Sequence, residues 1–462
     1  MKRLSIYPSF MALLLFFAAC SGVKKLKSPE VSIPQRIAGT SPDSLTIADI
    51  SWWEFYGDEM LCNIIQRTLE NNKRILAAAA RVEQAQHLYR VNKANQLPEL
   101  NMNTYLNNET NDYYEGKPLR DPEIGIKATI QWEADLWGSL RWARRRGGAE
   151  YLATIEDERA MRMTLVAEAA SAYFRLVALD NELEIVRRTL VTRQEGMEQA
   201  RIRFEGGLTS ETVYQQAQVE FASAAALIPN LESNIQATKN AISLLMGETP
   251  NWEILRNEGL NDDDLPEELP AGIPSELLQR RPDVRASEQR LQAAMAAVGV
   301  AYADRFPRLV INLTGGVEND DFRGLLQSPF SYAIGSLTGP IFGFGRKGAK
   351  YKASIAAYDE ARLNYEQKVL EVFREADDAV VNYRSIRTAA TLKADLRDAA
   401  RKYVDLARLQ YQAGSINYID VLDAQRRYLD AQIGLSNAIR DEHLALVQLY
   451  KVLGGGWQIA EK

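Results

Sequence analysis

Two periodicities organise the chain. Between Ile124 and Leu136, the apolar residues Ile124, Ile126, Ala128, Ile130, Trp132, Ala134 and Leu136 alternate with Gly125, Lys127, Thr129, Gln131, Glu133 and Asp135. Successive strand residues face opposite sides, so this spacing predicts a strand with one apolar and one polar face. Shorter alternations occur at Leu100, Met102, Tyr105 and Leu106, at Leu309, Ile311, Leu313 and Val317, and at Phe330, Tyr332 and Ile334. The second periodicity is helical: Leu165, Ala169, Ala172, Leu176, Leu179, Leu183, Val186 and Leu190 are spaced by four and three in turn. That is the seam of a coiled coil. Val372, Ala376, Ala379, Tyr383, Ile386 and Ala390 repeat the register. With no proline from Gly138 to Ile228 or after Pro340, helices of roughly 60 residues and 90 Å are expected.

The halves repeat one another. Ala77, Arg81, Ala85, Ala94, Pro98 and Leu100 fall on Ala286, Arg290, Ala294, Ala303, Pro307 and Leu309 at an offset of 209. Trp137-Gly138 falls on Phe344-Gly345, Tyr151 on Tyr358, Gly207 on Gly414, and Ala217-Gln218 on Ala424-Gln425 at 207. One unit is used twice. The first repeat is expected over 59–246, with strands at about 98–113 and 122–136, and the second over 275–453, with strands at about 307–319 and 328–342. Between them, 247–274 carries Asp262 to Asp264 and four prolines and reads as a linker, a collar segment. Residues 454–462 form a C-terminal tail.

A strand of about 10 residues spans an outer membrane, with apolar side chains outward and aromatic rings at the interfaces. Tyr113, Tyr114, Trp132 and Trp137 are candidates for those rings. A half-buried soluble sheet gives the same alternation, and a soluble coiled-coil scaffold the same heptads. In lipid, four strands neither close a barrel nor leave an open edge. Copies would share one barrel: a dimer supplies eight strands and a trimer twelve.

The N-terminus sets the compartment. Lys2, Arg3, an apolar run from Phe10 to Ala19 and then Cys20 read as a signal peptide over 1–19 followed by a lipidated Cys20, with 20–58 as an N-terminal tether. Phe17 stands where a lipobox more often has Leu. Cys62 is the one other cysteine and is expected to be a small core residue; His87 and His443 have no partners at metal-ligand spacing. A net charge of −6 gives no footprint for nucleic acid. No nucleophile–base set, phosphate loop or metal spacing appears, so neither an enzyme nor a cofactor is expected. Gly206-Gly207 and Gly414 interrupt the long helical patterns and mark helix–helix turns. Arg141, Arg144, Arg145 and Arg146 follow the second strand and are expected to meet lipid headgroups or neighbouring acids.

Arg280-Arg281-Pro282-Asp283-Val284-Arg285, with Trp53, Phe55, Asp58 and Leu61, Arg81 to Ala85, and Tyr411, Gly414 and Asp420 to Gln425, resembles the outer membrane factor family of TolC-like and OprM-like exit ducts, closest to its lipoprotein, NodT-type branch. The resemblance implies a membrane α+β fold, a trimer sharing a 12-stranded β-barrel above a periplasmic α-helical barrel of coiled-coil hairpins. It also implies an efflux duct fed by an inner-membrane pump through a periplasmic adaptor (membrane fusion) protein, in contact with outer-membrane lipid. A protein-secretion duct on the same fold is the alternative.

On that basis Phe204, Gly207, Leu208, Thr209, Tyr411, Gly414, Ser415 and Ile416 are the expected adaptor-docking tips. Asp420 and Asp423 are the expected periplasmic gate. Threefold repetition would stack their carboxylates into rings whose mutual repulsion raises some pKa values. An Arg–Asp latch found in TolC-like members is missing: its positions hold Ile416 and Thr212. Closure is therefore expected to rest on apolar contacts around Ile416 and Tyr418.

Overall fold

A computed structural model describes residues 26–34, 36–37, 46–111, 119–250, 252–257, 259–260, 274–339 and 342–457. The expected signal peptide, Cys20, Tyr113 and Tyr114 lie outside these residues, as does much of the expected linker.

Helices α1 (Trp52–Tyr56), α2 (Glu59–Asn71) and α3 (Lys73–Ala94) lead into strands β1 (Glu99–Asn111) and β2 (Leu119–Ala134). Helix α4 (Ser139–Glu205) then runs 67 residues, and α5 (Glu211–Ala225) and α6 (Leu227–Leu245) return. The second half gives α7 (Pro274–Arg280), α8 (Pro282–Ala303), β3 (Arg308–Asn319), β4 (Pro329–Thr338), α9 (Arg346–Gln412) and α10 (Tyr418–Val452). α9 also has 67 residues, which at 1.5 Å per residue is about 100 Å. Pro229 falls in the first turn of α6 and breaks the first-half return helix, since proline lacks the N–H and clashes with the preceding turn. α10 has no proline and runs unbroken.

The described residues fall into two compact units, one within 1–30, 81–155 and 286–367 and one within 31–80, 156–285 and 368–462. The first contains the sheet, with antiparallel order β1-β2-β3-β4. Among the described residues no helix is long and apolar enough to cross a membrane. The sheet, however, is strongly two-sided. Leu100, Met102 and Leu106 pair with Ile130, Ala128 and Ile124, and Ile130 and Trp132 pair with Leu313 and Ile311. This face stays open to its surroundings: Met102 is 77% exposed. The opposite face carries Asn101, Asn103, Lys127, Thr129, Gln131 and Asn312. There Thr129 and Thr314 hydroxyls meet at 3.0 Å, Lys127 lies over the Tyr105 ring at 4.6 Å, and the Tyr105 hydroxyl donates to Glu318 and Glu123.

The register corrects two expectations. Tyr105 lies opposite Gly125, on the polar face and not with Leu100 and Met102. Phe330, Tyr332 and Ile334 lie opposite Gly316, Thr314 and Asn312, also on the polar face, while β4 gives Ser331, Ala333, Gly335 and Leu337 to the apolar one. Pairing with β3 fixes the parity of β4, and parity, not hydrophobicity, decides a side chain's face.

In the second unit the heptad seam is buried. Leu165, Ala169, Leu176, Leu183 and Val186 are inside, as are Val372, Ala376, Ala379, Tyr383 and Ala390. Asp58 caps α2, accepting from Met60 and Leu61 N–H at 2.8 and 3.1 Å, and accepts from the Tyr173 hydroxyl at 2.7 Å. Phe55 stacks on Tyr450 at 4.2 Å. Cys62 is only half-buried, not a core residue, and its thiol donates to the Trp53 carbonyl at 3.6 Å; burial, with Asp58 adding to it, pushes the thiol up to about 11. The start of the expected linker packs down: Ile254 is buried, Trp252 stacks under Arg67 and Arg256 pairs with Asp180.

Candidate functional site

The second unit also holds both helix reversals. At the first, Gly207 takes φ +72°, its N–H donates to Phe204 C=O at 2.9 Å, and Leu208 N–H donates to Arg203 C=O at 2.8 Å. At the second, Gly414 takes φ +74°, its N–H donates to Tyr411 C=O at 3.0 Å, and Ser415 N–H donates to Gln410 C=O at 2.9 Å. Both are Schellman closures, which need a left-handed residue after the last helical turn and satisfy its free carbonyls. Equivalent positions at an offset of 207 therefore make the same two hydrogen bonds.

The expected docking residues divide by exposure. Leu208 is 73% exposed and Ser415 is exposed beside its glycine. Phe204 instead stacks on Tyr214 at 6.1 Å, Tyr411 packs on Tyr418 at 5.3 Å under the Arg203 guanidinium, and Thr209 lines a small cavity with Gly196 and Val213. Gly196 gives Tyr418 room, since a Cβ there would lie 2.7 Å from its hydroxyl. Ile416 packs with Tyr411, Tyr418 and Tyr428 against Val404, Ala407, Val421 and Ala424. The apolar residues expected to close the mouth are thus already engaged in the core of their own hairpin.

Asp420 and Asp423 share a face of α10, three residues apart, as expected. Each has a local partner that sequence reasoning missed. Asp420 is the N3 residue of a capping box: its carboxylate accepts from Asn417 N–H at 3.0 Å while the Asn417 side chain caps the helix in return. Asp423 accepts from Arg427 Nε at 2.7 Å and from Arg426 at 2.6 Å. The Arg427 guanidinium, with Arg426 beside it, holds the Asp423 carboxyl below the usual carboxylate range. Within one chain the adjoining cations act against the upward shift expected from repulsion between copies. An Asn three residues before Asp420 and arginines three and four after Asp423 were the available signals.

The most specific sequence match is architectural. Arg281 is buried and donates to Asp283 at 2.6 and 2.9 Å, to Glu375 at 2.7 Å and to the Val452 carbonyl at 3.3 Å. Burial opposes charge on Asp283, but Arg281 and then Lys368 hold its carboxyl below the usual range. Arg280 pairs with Asp49 and Glu276, and Arg285 with Glu156. The basic run after β2 is also tied down locally, Arg141 to Asp135, Arg146 to Glu150, and Arg145 over Trp142.

A family profile described as outer membrane efflux protein matches residues 64–248 and 273–455. The toluene efflux pump outer membrane protein TtgI of Pseudomonas putida is 31% identical over 415 residues, covering 88% of each chain. OprJ of Pseudomonas aeruginosa is 29% identical, over 99% of this chain and 97% of its own. The cation efflux system protein CusC of Escherichia coli is 28% identical, over 99% and 100%. A membrane protein structure from Pseudomonas aeruginosa superposes with a TM-score of 0.88 at 28% identity, covering 94% of this chain and 100% of that one. A CusC structure gives 0.86 at 26%, covering 95% and 100%. TtgI and CusC are named as efflux proteins and not as enzymes, and the four strands, long hairpins and internal duplication expected from the sequence are those of the TolC-like fold. The chain belongs to the outer membrane efflux protein family and is an outer-membrane efflux duct with a large periplasmic part.

Proposed function

We propose that three copies of the chain close one 12-stranded barrel, anchored by a lipid on Cys20, and that the duct completes a tripartite system with a periplasmic adaptor and an inner-membrane pump. The observation that carries this reading is the sheet: one apolar face, one polar face, and β1 and β4 left as edges within the chain. Such edges in lipid demand strands from other copies. Below the membrane, the turns at Gly207 and Gly414 present Leu208 and Ser415 to the adaptor, while Phe204, Thr209, Tyr411 and Ile416 hold the turns in shape. Asp420 and Asp423 line the periplasmic mouth, where Arg426 and Arg427 temper the charge of Asp423, and docking at the tips opens it. The efflux named for TtgI and CusC supports small solutes or ions as cargo over secreted proteins.

The test uses a deletion strain complemented with wild-type or variant chain. Leu208→Asp with Ser415→Asp should raise sensitivity to exported compounds as far as deletion does, with trimer yield unchanged. Asp420→Ala with Asp423→Ala should change single-channel conductance and cation block in planar bilayers. No change in sensitivity to any compound on deletion would favour protein secretion.

A further inference from the structure

Above the tips, α4, α9 and α10 enclose an open groove of about 290 Å³ whose polar lining is dominated by Arg188, Arg193, Arg401 and Arg408. Two of these cations are neutralised locally: Arg188 by Glu184 at 2.7 Å and Arg193 by Glu220 at 3.1 Å. Arg401 and Arg408 have no carboxylate within ion-pairing distance among the described residues; Asp405, which also lines the groove, pairs with neither. Arg193 forms a fixed part of the wall. It is 5% exposed, and its Nη1 donates to the Glu220 carbonyl at 2.7 Å. The exposed Arg401 and Arg408 guanidiniums remain, and arginine forks match carboxylates.

The groove has a direction. On α10 it is lined by Gln425, Tyr428, Leu429 and Gln432, which at about 100° per residue centre roughly 160° around the helix from Asp420 and Asp423. If those acids face the pore, as proposed above, the groove opens away from it. Its lining covers residues 185–193 of α4, 401–408 of α9 and 425–432 of α10, about two helical turns each. Arg408 lies six residues before Gly414, so the groove starts about 9 Å from the tip.

We propose that this groove is an anion site that takes the carboxylate side chains of a helix of the docked periplasmic partner, a second, charge-selective contact above the tips. The proposal rests on the tip-docking reading and adds a surface to it. Charge complementarity selects the occupant: unpaired Arg401 and Arg408 flank a groove the length of a short helical segment.

The experiment measures fluorescence anisotropy of a labelled helical peptide of roughly 20 residues with Glu on one face, against purified full-length trimer in detergent. Its Gln counterpart and citrate serve as comparisons. The Glu peptide should bind at about 50 mM salt and weaken as salt rises, and the Gln peptide should bind at least about tenfold more weakly. Arg401→Glu with Arg408→Glu should lower Glu-peptide affinity by at least about tenfold, and Arg401→Gln with Arg408→Gln by less. Lys73→Glu, on α3 and outside the groove, should leave it unchanged. Equal affinity after reversal of the groove arginines, or binding of citrate without binding of the peptide, overturns the proposal. Failure of the Leu208 and Ser415 substitutions to alter compound sensitivity bears on tip docking alone.

Discussion

Where the return helix ends, the first half places Asn72 and the second half Arg281, equivalent positions at the offset of 209. Both are buried, and both donate to the last turn of the return helix: Asn72 to the Leu245 carbonyl at 2.8 Å, Arg281 to the Val452 carbonyl at 3.3 Å. The ion pair beside each differs. In the first half Arg74, half exposed, reaches Glu168 at 2.7 Å; in the second the buried Arg281 itself reaches the equivalent acid, Glu375, at 2.7 Å. Duplication preserved the junction and changed its chemistry, from an amide with a solvated pair to a buried guanidinium in an acid cluster. The tips differ in the same sense. Their turns match bond for bond, yet Ser210 makes no side-chain cap while Asn417 and Asp420 form a full box. The second half is thus the more tightly specified.

The largest predicted difference comes from Arg281→Ala against Arg74→Ala. Removing the buried cation should cost about 3 kcal/mol or more, because it strands Asp283 and Glu375, whereas the solvated pair contributes less than about 1 kcal/mol. Urea unfolding of the two variants checks this; equal losses would erase the contrast between the halves. Asp283→Asn sharpens it through pH. The folded carboxyl sits below the ordinary value of 3.8, so its contribution is full at neutral pH and fades as pH falls below that value through the folded one. The variant should be clearly less stable than wild type at pH 7, with the gap closing in acid; a gap that widens in acid would contradict the assignment.

Smaller effects separate the tips. Gly207→Ala and Gly414→Ala should each cost about 1 kcal/mol, and equally, because the left-handed turn is shared. Asn417→Ala should also cost about 1 kcal/mol, while Ser210→Ala should leave stability within about 0.5 kcal/mol. Thermal melts of the four variants decide between a shared turn with unequal caps and two equivalent tips.

Much of this architecture is readable along the chain. Unbroken alternation from Ile124 to Ala134 identifies β2 and its faces, and the heptads from Leu165 identify the seam, because both patterns are local. β4 defeats the same reading: Phe330, Tyr332 and Ile334 alternate correctly, but only pairing with Asn312, Thr314 and Gly316 reveals which face they occupy. The paired turn glycines mark the candidate site directly. The capping of Asp420 and the pairing of Asp423 were legible at three- and four-residue spacing, yet reasoning about rings of acids across copies passed over their neighbours within the helix. Arg281 stood out as a motif, but its partners Glu375 and Val452 are 94 and 171 residues away, beyond any local signal.

The central claim is that the sheet is one share of a membrane barrel. Purified full-length protein, run unheated in detergent and then reconstituted into planar bilayers, tests it most directly. The account predicts a heat-modifiable trimer that conducts as a single large pore. A monomer that stays soluble without detergent and conducts no current would contradict it.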